Sequence, residues 1–319
     1  MLQESVLSVV VPVYDEQDVA RTFALGLREV LDTMGIAYEV IFVDDGSQDK
    51  TSTILKSLEW PQAYVAILAR NVGHQAAIDA GLSIAHGEYV LTMDGDGQHP
   101  VDLIPELLNV ARGQGVDVVY TVQKSRENDS PGKRFFALTY YKAVRWLTGV
   151  PLADSQADFR LMRSRVLEVV KHVPGDRVLR LLLPSIGFTS TTLTYEVKPR
   201  IAGRGRFGFR RQLSIAAQSF VGFSSKPLRL VASAGFALSL LAIVWFGIVL
   251  ATYVSQRTIV GWTSVMTAVL LVGGLTLLSL SVVGAYVARI HDMIKKHPRY
   301  FISRVDSTDG RQPPSITLP

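Results

Sequence analysis

The chain has 319 residues, with 33 Lys and Arg against 28 Asp and Glu, no Cys, and a mean hydropathy of +0.24. The lack of Cys excludes a disulfide scaffold and any thiolate metal site. Charge is divided unevenly, because residues 1–196 carry 18 basic and 25 acidic side chains whereas residues 197–319 carry 15 and 3. The two parts of the chain are therefore expected to occupy different environments.

Short apolar runs alternate with helical-period segments through residues 1–196. The runs are typical of buried strands and span residues 7–11, 38–43, 64–68, 89–93 and 116–121. The clearest helical segment, 19–34, is stopped by Gly35. This alternation predicts an α/β fold with a doubly wound, mostly parallel sheet. Ligands of such sheets bind at the carboxyl ends of the strands, so the residues after each run are the candidates for chemistry.

Acidic and Gly-rich segments follow the first four runs: PVYDE, DDGSQDKT, RNVGH and DGDGQHP. No G-x-G-x-x-G follows the first strand. The late match at residues 203–208 has no acidic residue after it until Asp292, which argues against a dinucleotide-binding dehydrogenase. Within the second segment, Asp45 and Asp49 are interpreted as turn or helix-capping residues, a role that suits Asp in such positions.

The fourth segment contains two carboxylates one residue apart, Asp94 and Asp96. Such a pair at a strand end can hold one hard divalent cation and leave positions for diphosphate oxygens. A cation there stabilises the negative charge that builds on a leaving diphosphate. A lone Asp-x-Asp is more often a solvated turn, but carboxylates at two neighbouring strand ends favour a site for Mg²⁺ or Mn²⁺.

Six sequence blocks occur in order before two long apolar runs: VVVPVYDE, VDDGSQDKT, NVGHQAAIDAGL, DGDGQHP, ADFRLM and FSSKPLRL. Together they resemble the family 2 glycosyltransferases that make polyprenyl-phosphate sugars, which include dolichol-phosphate mannose synthase and bacterial polyprenyl-phosphate glucosyltransferases. The resemblance extends to about residue 300. It implies a GT-A catalytic domain over residues 1–206, inverting transfer from a UDP- or GDP-linked sugar, a divalent metal, and a polyprenyl phosphate acceptor.

The resemblance also implies roles for individual residues. Nucleotide binding is expected from Pro12, Tyr14, Glu16, Asp44, Ser47, Asn71 and Asp94, although Tyr14 could be an ordinary packed aromatic. Metal binding is expected from Asp96 with Asp94 and Gln98. Residues 155–162 resemble the acceptor-side loop of the family, in which Asp158 joins Asp94 and Asp96 as a catalytic carboxylate. Asp158 is a general base or a positioning group, and the alternative is an ion pair with Arg160.

Basic residues are needed where an anionic acceptor meets an anionic donor. The candidates for the acceptor and diphosphate are Arg126, Lys133, Arg134, Arg200, Arg204 and Arg206. Any of them could instead contact anionic lipid headgroups. Residues 135–147 and 207–223 mix aromatic and basic side chains at helical spacing, which fits helices in the membrane interface or helices packed on the catalytic domain.

Two uncharged apolar runs, at about 230–254 and 263–288, are long enough to cross a bilayer as helices. Basic residues flank the pair, while the loop between the runs has only Arg257. By the positive-inside rule, the sequence predicts a transmembrane hairpin in the cytoplasmic membrane, with the catalytic domain and both termini cytoplasmic. Residues 207–229 would form a juxtamembrane helix. Residues 289–319 would form a basic segment and, after about Arg304, a disordered tail.

Several matters stay open at the level of sequence. Many relatives have an acid where this chain has His99 and a Gly where it has Ala157, so the sugar and the nucleotide are not fixed. His99 could contact a metal or diphosphate, or be solvated. Alternative functions are transfer to another membrane lipid or glycan, a processive polysaccharide synthase, and a non-catalytic membrane scaffold. A lipid bilayer and further copies of the chain are expected partners, and no nucleic acid is expected.

Overall fold

A computed structural model describes residues 6–123, 156–173, 179–196, 262–294 and 299–310, with Ser233, Ala237 and Val244. In residues 262–294 the side chains are described only in part. The chain divides into two compact units. The first comprises Met1–Lys142, Val150–Arg206 and Pro298–Pro319, and the second comprises Ala143–Gly149 and Phe207–His297.

The first unit contains an eight-stranded sheet in the order β7-β5-β6-β4-β1-β2-β3-β8, counted over the described residues. Its strands are β1 (Leu7–Val13), β2 (Tyr38–Asp44), β3 (Ala63–Leu68), β4 (Tyr89–Thr92), β5 (Val118–Gln123), β6 (Gln156–Arg163), β7 (Ser190–Tyr195) and β8 (Ile302–Ser307). Among its described residues, this unit has the α-helices α1 (Ala20–Thr33), α2 (Thr51–Lys56), α3 (His74–Ser83), α4 (Ile104–Gln114), α5 (Ser164–His172) and α6 (Leu179–Ile186).

The centre of the sheet is parallel and its flanks are mixed. β3, β2, β1 and β4 pair in parallel, as do β5 and β7. β6 runs antiparallel to both β4 and β5, and β8 runs antiparallel to β3. All five predicted strands are confirmed, with shifts of one or two residues at their ends. The expected mostly parallel sheet holds for its centre, while the sheet as a whole is mixed.

The central strands are buried on both faces, which is why they read as continuous apolar runs. In β1, Val9 and Val11 belong to one core cluster and Val10 to the other, as the alternation of side chains along a strand requires. The first cluster includes side chains of α1, α2 and α4, and the second includes side chains of α3, α5 and α6. Helices therefore cover both faces of the sheet.

The pairing of β1 with β4 ends before its pairing with β2. β1 pairs with β4 only from Leu7 to Val10, whereas its pairing with β2 continues to Val13. Pro12 lies beyond the β4 pairing, so its missing N–H falls where the ladder to β4 has already ended. The Asp94 turn begins directly after β4 and packs on the end of β1.

Two segments differ from the sequence prediction. The segment that resembles an acceptor-side loop forms strand β6, because residues 160–162 pair with both β4 and β5. Residues 305–307, which the sequence places in the disordered tail, belong to the edge strand β8, whose backbone pairs with β3. The polar composition of 302–307 suits an edge strand with one solvated face. The remaining tail, 311–319, lies outside the described residues.

The second unit contains the helix α7 (Trp262–Ile294), which is 33 residues long. It includes the second predicted apolar run, 263–288. Judged on the described residues alone, no helix is both long enough and apolar enough to cross a membrane. The first run, 230–254, lies outside the described residues apart from Ser233, Ala237 and Val244. The transmembrane hairpin therefore stays a prediction, as do the two interfacial segments, which also lie outside the described residues.

Candidate active site

The loops that follow β1 and β2 are locked together by hydrogen bonds. The backbone N–H of Asp15 donates to Ser47 Oγ at 3.0 Å, and the backbone N–H of Glu16 donates to Thr51 Oγ1 at 2.8 Å. Asp44 is buried at the end of β2, and its Oδ1 accepts the backbone N–H of Ser47 at 2.9 Å. These bonds hold the predicted nucleotide-binding residues of both loops at the carboxyl edge of the sheet.

Asp45 joins the β2 loop to the loop before α3. Its two carboxylate oxygens accept the backbone N–H groups of Val72 and Gly73, at 2.7 and 2.9 Å. Gly46 permits this approach, because a Cβ there would lie 2.8 Å from the backbone of Arg70. Burial raises the pKa of Asp45, although the two hydrogen bonds oppose the change. Asp45 thus ties neighbouring loops together and does not cap its own turn.

Asp49 has the capping role that the sequence predicts. Its Oδ1 accepts the backbone N–H of Thr51, the first residue of α2, at 2.9 Å, and its Oδ2 accepts the backbone N–H of Gln17 at 3.2 Å. Burial alone would raise the pKa of Asp49, but the hydrogen bonds from Thr51 and Gln17 lower it. Its carboxylate therefore supports the loop and is occupied by backbone donors.

The turn after β4 carries Asp94 and Asp96. Gly95 between them packs on the end of β1, where a Cβ would lie 2.8 Å from the Val13 side chain. Asp96 Oδ1 accepts the backbone N–H of Gln98 at 3.0 Å, and Gly97 has a φ of +77°, which favours glycine. These features fix a tight turn at the carboxyl edge of the sheet.

His99 closes this turn from inside the protein. Its Nδ1 accepts the backbone N–H of Asp94 at 3.0 Å, which assigns the ring proton to Nε2, 3.8 Å from Asp94 Oδ2. The ring is buried and stacks on Phe159 with centroids 5.1 Å apart. Burial, with the negative charges of Asp94 and Asp96, raises the pKa of the neighbouring Tyr195 to about 12. His99 is therefore not solvated, and it orients the backbone of Asp94.

Asp158 lies on β6 within a cluster of positive and polar side chains. Its Oδ1 contacts the guanidinium of Arg160, which is fully buried. Its Oδ2 lies 3.5 Å from His74 Nε2, 3.9 Å from Arg180 Nη2 and 3.4 Å from Gln75 Nε2. Burial alone would raise the pKa of Asp158, but Arg160, His74 and Arg180 hold that pKa well below its usual range. Asp158 is ionised at neutral pH.

His74 brings the two acidic sites together. It is the first residue of α3, and its Nε2 lies 3.4 Å from Asp94 Oδ1 and 3.5 Å from Asp158 Oδ2. Burial would lower the pKa of His74, but contact with Asp158 and the charges of both carboxylates raise it. The imidazole of His74 thus lies between the turn after β4 and the carboxylate on β6.

The donor atoms fit a hard divalent cation, which prefers oxygen ligands and is often held by one or two carboxylates with substrate phosphates. Asp94 Oδ1 is buried and has no hydrogen-bond partner within the described ranges, and Asp96 offers further oxygens on the same turn. No group of three or more His, Cys, Asp or Glu side chains that could hold a metal occurs among the described residues.

The structure brings most of the predicted site residues to one edge of the sheet. Pro12 is the last residue but one of β1, and the exposed Tyr14 and the half-buried Glu16 follow that strand. Asp44 ends β2, Ser47 follows it, and the exposed Asn71 follows β3. The basic candidates at positions 126, 133, 134, 200, 204 and 206 lie outside the described residues. The expected alternative for Asp158, an ion pair with Arg160, is confirmed as a contact. This contact is compatible with a positioning role for Asp158.

Sequence reasoning missed four residues of the site. His74 and Gln75 stand in the block NVGHQAAIDAGL, directly after the third strand, so their place after a strand end was a usable signal. Arg180 and Tyr195 carry no such signal, because they reach Asp158 and the Asp94 turn only through tertiary packing.

The fold and the site together define an α/β protein whose ligand site lies at the carboxyl ends of parallel strands. The chain belongs to glycosyl transferase family 2, whose family model matches residues 8–170. It is therefore a glycosyltransferase that uses a nucleotide sugar. The expected family resemblance is confirmed.

Two relatives match nearly the whole chain. The uncharacterized glycosyltransferase YkcC of Bacillus subtilis is 34% identical over 301 residues, which cover 93% of each chain. A prophage-derived bactoprenol glucosyl transferase of Shigella flexneri is 30% identical over 302 residues, covering 93% of this chain and 97% of that protein. Glucosyl-3-phosphoglycerate synthase from Mycobacterium tuberculosis, crystallised with Mn²⁺, UDP-glucose and phosphoglyceric acid, is 16% identical over 68% of this chain and 78% of its own, with a TM-score of 0.48.

Proposed function

We propose that this protein is a membrane-bound, inverting glycosyltransferase that moves one sugar from a UDP- or GDP-linked donor to polyprenyl phosphate. The product would be a lipid-linked sugar for glycosylation of the cell envelope. The observation that carries the proposal is the position of His74 between Asp94 and Asp158, which places the acidic turn next to a second carboxylate at one edge of the sheet. The match to a bactoprenol glucosyl transferase over most of both chains supports the acceptor.

The chemistry fits the charges of these residues. A phosphate monoester has a second pKa of about 6, so the acceptor is largely ionised near neutral pH and needs little help to lose a proton. The pKa of Asp158 is held below its usual range, which makes its carboxylate a weak base. Asp158 therefore positions cationic and polar groups around the attacking phosphate. The attack occurs on the face of the anomeric carbon opposite the nucleotide, which inverts its configuration.

Asp94 and Asp96, with Gln98, would hold Mg²⁺ or Mn²⁺ beside the diphosphate. When bound, the cation would stabilise the negative charge on the departing nucleotide. His99 supports this role because it fixes the backbone of Asp94. The loops after β1, β2 and β3 would hold the nucleoside, with Asp44 at the base.

The test is a transfer assay with the purified full-length chain, Mg²⁺ or Mn²⁺, undecaprenyl phosphate and a panel of UDP- and GDP-sugars. Asp96→Asn is compared with Glu29→Gln, which removes a carboxylate from the exposed side of α1. We expect lipid-linked sugar from the wild type and from Glu29→Gln, and little from Asp96→Asn. If nucleotide binds but no lipid phosphate is glycosylated, the polyprenyl acceptor is wrong and another lipid or glycan acceptor must be sought.

The membrane arrangement is proposed from the sequence. Residues 230–254 and 263–288 would form the hairpin, with the catalytic unit and both termini on the cytoplasmic side. Because the chain has no Cys, a thiol reagent can label only the single Cys that is introduced. We expect Arg257→Cys to react with an impermeant maleimide added outside intact cells, and Ser315→Cys to react only after lysis. Equal labelling of both positions before lysis would refute this topology.

A further inference from the structure

Three nitrogen donors surround one oxygen of Asp158 at distances longer than a strong hydrogen bond. Gln75, His74 and Arg180 place nitrogen atoms 3.4, 3.5 and 3.9 Å from Asp158 Oδ2. Charge-assisted hydrogen bonds between nitrogen and carboxylate are usually about 2.7–2.9 Å long. The firm partner of Asp158 is Arg160, which contacts its other oxygen. The donors around Oδ2 therefore retain much of their capacity for a further acceptor.

Two of these donors are open to solvent. The side chain of Arg180 is 37% exposed and that of His74 is 42% exposed, whereas Arg160 is fully buried. In the part of the chain that the structure describes, the ion-pair partner of Arg180 is Asp158. A guanidinium has five N–H donors, so a single long contact leaves most of them available.

We propose that Arg180, with His74, binds the phosphate group of the acceptor beside Asp158. The inference rests on the proposed function and assigns a binding residue to it. A guanidinium bonds phosphate oxygens in pairs, which fixes the phosphate in direction as well as in place. Asp158 orients Arg180 and His74, and the positive charge of Arg180 offsets the repulsion between the Asp158 carboxylate and the phosphate. The buried Arg160 keeps Asp158 ionised from the opposite side.

The test compares Arg180→Gln and Arg180→Lys with the control Arg21→Gln, which removes one positive charge from the exposed side of α1. The full chain in detergent is assayed with undecaprenyl phosphate and with the shorter, soluble farnesyl phosphate. We expect Arg180→Gln to raise the KM for both acceptors by about 10- to 100-fold, the usual range for losing charged hydrogen bonds. The donor KM and the thermal melting temperature should be unchanged, and Arg180→Lys should recover part of the loss.

Three results would overturn the inference while leaving the proposed function intact. The first is an unchanged acceptor KM in Arg180→Gln. The second is an equal rise in Arg21→Gln. The third is an effect on undecaprenyl phosphate alone, which would place Arg180 on the lipid surface and not on the phosphate. If the wild type glycosylates neither acceptor, the proposed function fails. Calorimetric titration of farnesyl phosphate into wild type and Arg180→Gln then decides the inference, which an equal Kd would refute.

Discussion

The opposite ends of the same strands hold polar clusters of different construction. At the amino ends of β1 and β2, Ser8 Oγ donates to Glu39 Oε1 at 2.6 Å, and the backbone N–H of His86 donates to the same oxygen at 2.8 Å. Ser8 Oγ in turn accepts the backbone N–H of Gly87 at 2.7 Å. At the carboxyl ends, His74 lies 3.4 Å and 3.5 Å from its two carboxylates.

This difference in hydrogen-bond length distinguishes polar groups that stabilise the fold from polar groups that are available to a ligand. The amino-end cluster is closed by short bonds, so it satisfies buried groups and joins strands to loops. At the carboxyl end, Asp94 Oδ1 and Gln75 Oε1 are buried and have no hydrogen-bond partner in the part of the chain that the structure describes. Unmet hydrogen-bonding capacity in a native structure calls for an explanation, and a ligand supplies one here. Changes at the two ends should therefore affect different properties.

The largest expected effect is on catalysis, at the carboxyl end. We expect Asp94→Asn to lower kcat by about 100-fold or more, because charge stabilisation by a held cation is worth several kcal/mol. Thermal melting should change little, since Asp94 is one-third exposed. The measurement is sugar transfer at saturating donor with a Mg²⁺ titration. Full activity in the variant would contradict the metal role.

The next effect is on stability and concerns the buried ion pair beneath the site. We expect Arg160→Met to lower the free energy of unfolding by about 3–5 kcal/mol, because Asp158 would be left without its buried partner. The control is Arg304→Gln, whose ion pair with Asp306 is largely exposed and should be worth less than about 1 kcal/mol. Urea unfolding followed by near-ultraviolet circular dichroism measures both. Equal losses would show that burial of the pair does not matter.

A smaller loss is expected at the amino end. Glu39→Ala leaves the hydroxyl of Ser8 and the backbone N–H of His86 without their acceptor, which should cost about 1–3 kcal/mol. Transfer activity should stay at the wild-type level at temperatures where the variant is folded. Melting temperature and initial rate are measured on the same preparation. A fall in the initial rate without a fall in melting temperature would contradict the expectation that the amino-end cluster affects stability and not activity.

The smallest expected effect is a pH dependence of stability. It concerns Asp117, which directly precedes β5. Burial would raise the pKa of Asp117, but Thr189 and Arg165 lower it below its ordinary value. The ionised carboxylate therefore stabilises the fold at neutral pH, and this contribution is lost as the pH falls below about 4 toward the folded-state pKa. The gap in melting temperature between wild type and Asp117→Asn should narrow on acidification. A gap independent of pH would refute this linkage.

Much of the central fold follows from local sequence. The five predicted strands were found because each is a short apolar run buried on both faces, bounded by turn residues. The placement of Asp44, Asp94 and Asn71 at one edge followed from strand direction alone, since parallel strands end together. β6 was missed because Asp158 and Arg160 interrupt its apolar pattern, and β8 because its polar composition is that of a tail.

The sequence by itself determined the parallel centre of the sheet, the edge that carries the chemistry and the family to which the chain belongs. Tertiary structure decided how the carboxylates are partnered. Arg160 lies two residues from Asp158 on the same strand and was an expected partner, but His74 and Arg180 reach Asp158 from two other elements, and no periodicity in the sequence indicates that meeting. Periodicity reports which face of an element is buried, whereas partners distant in the sequence depend on how the elements pack.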